Sequence, residues 1–512
     1  MKLNYKSLEE ARKNFTLKER WEVFSGTPEK FNIAYECVDR HDPQKTAIRI
    51  KFANGNNAIY SFEEFSRLSG QLANHLRHKG IKPGDRVAVL LFPSIEFYIS
   101  FFGIMKVGAV VVPCFPLFGE EAIEFRLTNS NAKAVIVTRE MSNNIKKGLV
   151  SQVIYADELL DAIKNEDDQC AINTSANDLA VIQYSSGTTG RPRAIEYKHI
   201  AATLTAVNMK FGIGITDDDN YFNPSSPAWG HGIWYGTVGP LIFGNAIGAY
   251  SGKFDPEMFL EALEQFNITN ISATPLVYRM VRTCGKIGNY KLKIRELSYT
   301  GGPIDMDTLK YFQEYLGRAP RSIYGSTEVG ALIIEYSFPD YKQKLGSLGM
   351  PMIGVKVGII DENNNELPPG TIGDLAVLRK GKWIRVGDAA YVDEEGYFWH
   401  KGRSDDIIIS AGYTIGPFEI EEVLEKHPAI ERVAVIGVPD EERGEIVKAI
   451  IIPKTEPSDE LKKDIQEFVK TRLSKHEYPR EIEFVKEIPC TPDGKIKRNE
   501  LKRIERLKKG KN

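Results

Sequence analysis

The chain has 512 residues, and 67 Lys plus Arg stand against 69 Asp plus Glu, a formal charge of −2. That balance excludes a protein built to track phosphate backbones or anionic lipid, so nucleic acid is not an expected partner. With 42% apolar and 27% charged residues, the composition excludes disordered, collagenous and coiled-coil chains, and the length allows about three to four domains, or one large domain plus a smaller one.

The opening stretch, MKLNYKSLEEARKNFTLKER, is too charged for the apolar centre of a secretion signal. Short Val-, Ile- and Ala-rich runs then alternate with amphipathic stretches of helical length, the pattern of parallel strands covered by helices. Strands are predicted at Arg86–Phe92, Ala109–Val112, Ala134–Thr138 and Leu179–Tyr184, with a helix over Ser94–Lys106 completing a βαβ unit. The longest apolar stretch, Phe97–Gly119, is broken by Lys106, Gly108 and two prolines. A central lysine alone costs about 2.5–3.5 kcal/mol in a bilayer, so no membrane span is predicted. Cys37, Cys114, Cys170, Cys284 and Cys490 show no CxxC or metal spacing, which suits a reduced, cytoplasmic setting.

Near residue 400 the pattern changes. Gly402–Asp406 reads as a polar link, followed by a strand at Ile407–Ile409, a helix at Phe418–Lys426, a strand at Val433–Val438, a helix at Asp459–Leu473 and a strand at Ile482–Val485. That is an α+β unit of about 100 residues. The expected organisation is α/β: a large N-terminal domain of several subdomains over 1–403 and a small mobile α+β domain over 404–512. The basic tail, Lys502–Lys511, reads as a solvated helix end. Oligomeric state is left open.

The densest chemical signal is Tyr184–Arg193, YSSGTTGRPR, directly after the strand LAVIQY. Its glycines, serines and threonines form a flexible loop rich in N–H and hydroxyl donors, suited to wrapping a phosphate, with Arg191 and Arg193 as cations. A polar turn between two elements is the plainer reading of GTTG alone. The loop is not a Walker motif, and GxGxxG, GxSxG and HExxH are also missing from the sequence.

With this loop the sequence resembles the adenylate-forming superfamily of acyl-CoA synthetases, firefly-luciferase-like enzymes and peptide-synthetase adenylation domains. Further matches follow in the family's order: Gly301-Gly302-Pro303, YGSTE at Tyr324–Glu328, Gly387-Asp388, GRSDDIIISAGYTIGPFEIE at Gly402–Glu421 and CTPDGKIKR at Cys490–Arg498. The N-terminal PEKFNIAYECVDR, Pro28–Arg40, is similar to the medium-chain acyl-CoA synthetase branch.

The resemblance implies an enzyme using ATP, Mg2+ and coenzyme A on a small carboxylic acid. Ser185, Ser186, Gly187, Thr188, Thr189, Gly190 and Arg193 would cradle the β- and γ-phosphates. Gly301, Gly302, Pro303 and Tyr324 would flank adenine, and Asp388 and Arg403 the ribose. Thr327 would touch the α-phosphate, and Glu328 would ligate Mg2+. Lys495 would stabilise the charge of the adenylation transition state, Asp405 would be the pivot of a domain rotation, and Ser410, Ala411 and Gly412 would meet the pantetheine arm of CoA.

SSPAWGHGIWYG, Ser225–Gly236, carries the acyl-pocket candidates Trp229 and His231, and Gly325 is a third. Gly325 stands where acetate-specific relatives place tryptophan, which implies acids longer than acetate or propionate. PAWGHG lacks the aspartate that amino-acid-activating relatives use for the substrate ammonium. His231 could gate the site or hydrogen-bond a polar acid, but a satisfied core histidine is the plainer reading, and Trp229 also reads as core.

Three departures stand out. Arg193-Ala194 replaces Lys-Gly, Gly302 takes a position often held by glutamate, and Thr414 stands where many relatives have an arginine near the α-phosphate. An aryl-CoA ligase and a nucleotide-binding homologue impaired in catalysis are the alternative readings.

Overall fold

A computed structural model describes residues 3–185, 192–326, 329–404, 406–410, 413–440, 443–473, 477–491 and 496–508. The chain divides into two compact units, Met1–Gln343 and Lys344–Asn512.

The first unit is built on βαβ crossovers. Its six-stranded sheet has the spatial order Gln152–Tyr155, Ala132–Val137, Arg86–Leu90, Val110–Pro113, Leu179–Ser185, Arg193–Lys198. All neighbours are parallel except the last pair, which forms a hairpin closed by Tyr184/Ala194 and Ser185/Arg193. The crossover helix Ile95–Val107 starts where Ser94 accepts a hydrogen bond from Phe97 N (3.2 Å) and stops at Gly108, whose φ of +83° suits glycine. Apart from Glu96, Ser100 and Lys106 its residues are apolar on every side, and all but Glu96 are buried, as suits a helix enclosed by the sheet and its neighbours. Phe65, Phe97, Phe101 and Phe102 interlock there, each burial contributing about 1.5–3 kcal/mol.

A second sheet of this unit runs Gly330–Ile334, Arg321–Ser326, Glu296–Tyr299, Asn270–Ala273, Tyr221–Phe222. The four from Arg321–Ser326 onward are mutually parallel, with Ser272 beside Ser298 and Tyr299 beside Ser322. Helices Pro275–Cys284 and Met306–Leu316 provide the crossovers. A third sheet joins Ile247–Ser251, Thr46–Phe52 and Asn57–Ser61. Among the described residues no helix is long and apolar enough to cross a membrane, and all five cysteines are free.

The second unit opens with an antiparallel sheet, Val357–Ile360, Gly373–Arg379, Lys382–Val392, Phe398–Arg403. Next comes a sheet ordered Tyr413–Ile415, Ile408–Ser410, Gly444–Pro453, Ile430–Asp440, with Glu481–Phe484 added in parallel to Gly444–Pro453. Helices Pro417–Leu424 and Asp459–Lys470 cover it through Ile420, Leu424, Ile465 and Val469.

The helix Arg498–Lys508 is docked rather than solvated. Leu501 is buried in the core, and Glu505 meets the buried Lys448 at 2.6 Å. Glu483 completes the anchor, 2.7 Å from Lys448 and 2.5 Å from Lys508. Partial burial pushes the Glu483 carboxyl up, but the two lysines outweigh it and hold the pKa down to about 2. A depressed carboxyl stabilises the fold above its unfolded pKa, and that contribution fades as pH falls toward 2. Glu483→Gln is therefore expected to lower Tm at pH 7 by about 2 °C, in line with about 1 kcal/mol for a partly exposed pair. Thermal unfolding of both proteins at pH 7 and pH 3 checks this, since the gap must narrow at pH 3.

Candidate active site

Parallel α/β sheets present ligands at the carboxyl ends of their strands, where loops leave the sheet. Among the described residues of the first unit, Gly301 and Tyr324 lie at such an edge. Two residues past the paired couple Tyr299/Ser322, one strand exits at Gly301 and its neighbour reaches Tyr324. Gly301 has φ +95°, and an added Cβ at Gly301 or Gly302 meets nothing within 4 Å, so this turn faces open space. Tyr324 is half-buried beside it.

His231 is tied to the same edge. Its Nε2 lies 2.8 Å from Ser272 Oγ, and Ser272 is the strand neighbour of Ser298. Asn223 Oδ1 accepts from Ser225 N (2.8 Å), which turns the amide nitrogen of Asn223 toward His231 Nε2 at 3.2 Å. Nε2 therefore carries the lone pair and the Nδ1 proton is donated to Ser225 Oγ at 3.1 Å. Burial pulls the imidazole pKa down to about 3. The ring is neutral and both its nitrogens are occupied by protein, which is the satisfied-histidine arrangement.

The hydroxyl-rich loop is approached through its stem. Gln183, two residues before Ser185, donates from Nε2 to Ala228 O at 3.3 Å, and its Oε1 is buried without a partner among the described residues. This bond brings the strand feeding the loop against the segment that carries Trp229 and His231. Trp229 stands edge-on to Phe115 (5.9 Å between centroids), giving an aromatic wall there. Tyr184 donates to Asn129 Oδ1 at 2.8 Å, and burial pushes its phenol up to about 12. Arg193 is exposed at the hairpin stem.

Gly325 has a local reason to be glycine. It pairs with Ala331 across a bulged antiparallel step, and a Cβ built there lies 2.1 Å from Gly330 O and 2.7 Å from Ala331 Cα. A side chain at 325 is directed at the next strand's backbone. Gly232 is similarly crowded, its Cβ falling 2.1 Å from Ser226 O at the start of the π-helical His231–Val238.

In the second unit, Asp388 and Arg403 face each other in register on adjacent strands, with Arg403 NH1 donating to Asp388 Oδ1 at 3.2 Å. Gly387 has φ +81°, and a Cβ there would lie 2.5 Å from the Arg403 guanidinium, so the glycine lets the arginine lie flat against the turn. A carboxylate offers about four acceptor directions, so Asp388 can meet both Arg403 and a diol. Ser410 is buried and pairs with Tyr413 and Gly444, and Thr414 pairs with Ile409.

Ser186, Gly187, Thr188, Thr189, Gly190, Thr327, Glu328, Asp405, Ala411, Gly412 and Lys495 lie outside the described residues, as does the side chain of Ser185. Among the described residues no cluster of three or more His, Cys, Asp or Glu is arranged to hold a metal ion. A magnesium ion that arrives on the phosphates needs only one or two protein carboxylates, so the sequence assignment of Glu328 is compatible with that. Sequence reasoning passed over Gln183, Phe115, Asn223 and Ser272. A glutamine inside the apolar run LAVIQY was the available signal for the first, because a buried strand tolerates a polar side chain only where it has a partner.

The model of the AMP-binding enzyme family matches residues 36–382, and that of the AMP-binding enzyme C-terminal domain matches residues 419–495. Over 521 residues the chain is 34% identical to an acetyl-coenzyme A synthetase of Bacillus subtilis (strain 168), covering 92% of this chain and 90% of that protein. It is also 34% identical to the mitochondrial acyl-coenzyme A synthetase ACSM3 of Rattus norvegicus, covering 93% and 91%. Among solved structures, the anthranilate CoA ligase AuaEII in complex with anthranoyl-AMP matches with a TM-score of 0.85 at 25% identity, over 97% of this chain and all (100%) of that one.

Proposed function

The chain belongs to the AMP-binding enzyme family and is an ATP-dependent, AMP-forming acyl-CoA synthetase; on that premise we propose that it activates a short- to medium-chain aliphatic acid. The acid's carboxylate attacks the α-phosphorus of ATP and pyrophosphate leaves; the thiol of CoA then attacks the acyl carbonyl and AMP leaves. Both steps bring anionic groups together, so the site must hold them in line and offset their charge.

The observation that supports a site for ATP and an acid here is the linking of the carboxyl-terminal parts of four strands in the first unit. Gln183 joins the phosphate-loop stem to Ala228, His231 joins that segment to Ser272, and Gly301 and Tyr324 lie level on the neighbouring strands. In this reading the loop 185–193 takes the phosphates, Tyr324 and Gly301–Pro303 flank adenine, and the wall of Trp229 and Phe115 takes the acyl chain. Neutral His231 orders the pocket and does not bind the acid. Asp388, steadied by Arg403, takes the ribose diol, and Ser410–Gly412 meet pantetheine. Mg2+, held by Glu328, would offset phosphate charge. Lys495 serves adenylation alone, carried into and out of place by a small domain 404–512 that rotates about Asp405 against 1–403. The setting is cytoplasmic, in keeping with five free cysteines.

Sequence identity does not choose between acetate and longer acids, since the acetyl- and acyl-coenzyme A synthetase relatives are equally similar. An aryl acid is the second reading, favoured by the likeness to the anthranilate ligase and by the aromatic wall. Pyrophosphate release measured with acids from acetate to decanoate, benzoate and hydroxy acids separates them. Greatest kcat/KM is expected between four and ten carbons, about tenfold or more above acetate if each buried CH2 contributes about 0.8 kcal/mol. A maximum at benzoate would establish the aryl reading, and a maximum at acetate would remove the longer-acid reading. ATP binding without AMP formation, with every acid and CoA, would overturn the synthetase assignment.

A further inference from the structure

A buried charge cluster in the second unit draws on residues that follow, in sequence, both moving parts of the proposed cycle. Asp406, the residue after Asp405, is only 6% exposed. Its Oδ2 is 3.9 Å from Arg498 NH1 and its Oδ1 is 3.3 Å from Lys502 Nζ. Arg498 NH2 pairs with Glu421 Oε2, and Arg498 Nε donates to Val435 O at 3.3 Å. Glu421 Oε1 accepts from Val435 N at 2.7 Å, which fixes the carboxylate against the core strand. Arg498 and Lys502 are four apart on the helix Arg498–Lys508 and so share a face.

That helix begins two residues after Ile496. Ile496 forms a backbone bridge with Cys490, and Lys497 N donates to Pro489 O at 2.9 Å. Pro489–Cys490 and Ile496–Lys497 are therefore held together at the foot of the helix. One guanidinium faces the residue that follows the pivot on one side and Glu421 on the other, three positions downstream of Lys495.

Stability alone is a poor reason for such a cluster, because apolar residues of equal volume serve a core as well or better than a buried ion pair. A planar, forked cation with fixed partners does give orientation, which a lysine or an apolar side chain would not. We infer that Arg498 is a positioning residue: through Glu421 and Asp406 it fixes the start of its helix, and with it the backbone bridge between Cys490 and Ile496, so that the proposed rotation at the pivot carries Lys495 to the α-phosphate without slack. The inference rests on the proposed roles of Lys495 and Asp405. Arg498 touches no substrate in it.

The test uses the full-length enzyme with Arg498→Met, Arg498→Lys, Asp406→Asn and Lys495→Ala. Adenylation is followed by pyrophosphate release with the best acid, and thioester formation by CoA attack on synthetic acyl-adenylate. Arg498→Met is expected to lower kcat for adenylation about 10- to 100-fold, as a misplacement near 1 Å does, with KM for ATP and the thioester step changed less than about threefold. Arg498→Lys is expected to recover part of that loss, and Asp406→Asn to give a smaller loss in the same step. Amide exchange across 490–497 in the intact protein is expected to quicken in Arg498→Met. A parallel fall of both half-reactions with a matching drop in Tm would make Arg498 a purely structural residue and overturn the inference, as would no change in either step. If Lys495→Ala blocks adenylation while Arg498→Met behaves as wild type, the inference alone falls. If Lys495→Ala leaves adenylation intact, the catalytic reading falls and takes the inference with it.

Discussion

Lys495→Ala is expected to cut acyl-adenylate formation by about 10²–10³-fold or more, the usual effect of removing one preorganised charge from a developing transition state. CoA attack on a supplied acyl-adenylate should change less than about threefold, because in the proposed cycle the lysine serves only the pentavalent phosphorus of the first step. The measurement is the pair of half-reactions assayed separately. Equal losses in both would mean that the lysine stays at the site throughout, and the proposed rotation about Asp405 would have no part in the reaction. A change confined to KM for ATP would instead make it a ground-state phosphate contact.

The second large effect is expected at Gly325. Resemblance to acetate-specific relatives suggests that tryptophan there would shorten the preferred acid. The geometry leads to a different expectation, because the first atom of any side chain falls 2.1 Å from Gly330 O. The strands Arg321–Ser326 and Gly330–Ile334 must separate to accept it, at a cost of about 1–3 kcal/mol or more, and Tyr324 moves with them. Gly325→Ala is therefore expected to lower kcat/KM at least about tenfold for acids of every length, a loss of the size set by 1.4 kcal/mol of misplacement. Gly325→Trp is expected to be worse, again without a preference for short acids. A chain-length series with both variants decides the matter. An alanine variant as active as wild type, together with a tryptophan variant selective for acetate, would restore the pocket-floor reading.

Much of the fold was legible because its signals were local and periodic. The runs RVAVLLF and LAVIQY became the parallel strands Arg86–Leu90 and Leu179–Ser185, and the helix read over Ser94–Lys106 formed at Ile95–Val107 with Ser94 as its cap. The strand Gly444–Pro453 was passed over, although it is the centre of the C-terminal sheet, with Ile430–Asp440 and Glu481–Phe484 on its two sides. The docking of the last helix was also hidden. A run of lysines and arginines reads as solvated when its acidic partners, Asp406, Glu421 and Glu483, are distant in sequence.

The candidate site was legible as an ordered set of motifs, not as a geometry. Nothing in YSSGTTGRPR announces that Gln183 ties its stem to Ala228, since that bond crosses 45 residues of chain. Gly325 shows the converse. Its identity was plain, but the reason for it came from a carbonyl on the facing strand, which only the folded hairpin brings near.

The hydrogen bonds around His231 bear on how the enzyme's pH profile should be interpreted. An imidazole with a pKa of about 3, held in one tautomer by Asn223 and Ser225, does not titrate anywhere near neutrality. An inflection near pH 6 in log(kcat/KM) would therefore belong to another group, with the second ionisation of a terminal phosphate on free nucleotide the first to examine. Isotope-edited spectra of the ring across that inflection would show unshifted nitrogens.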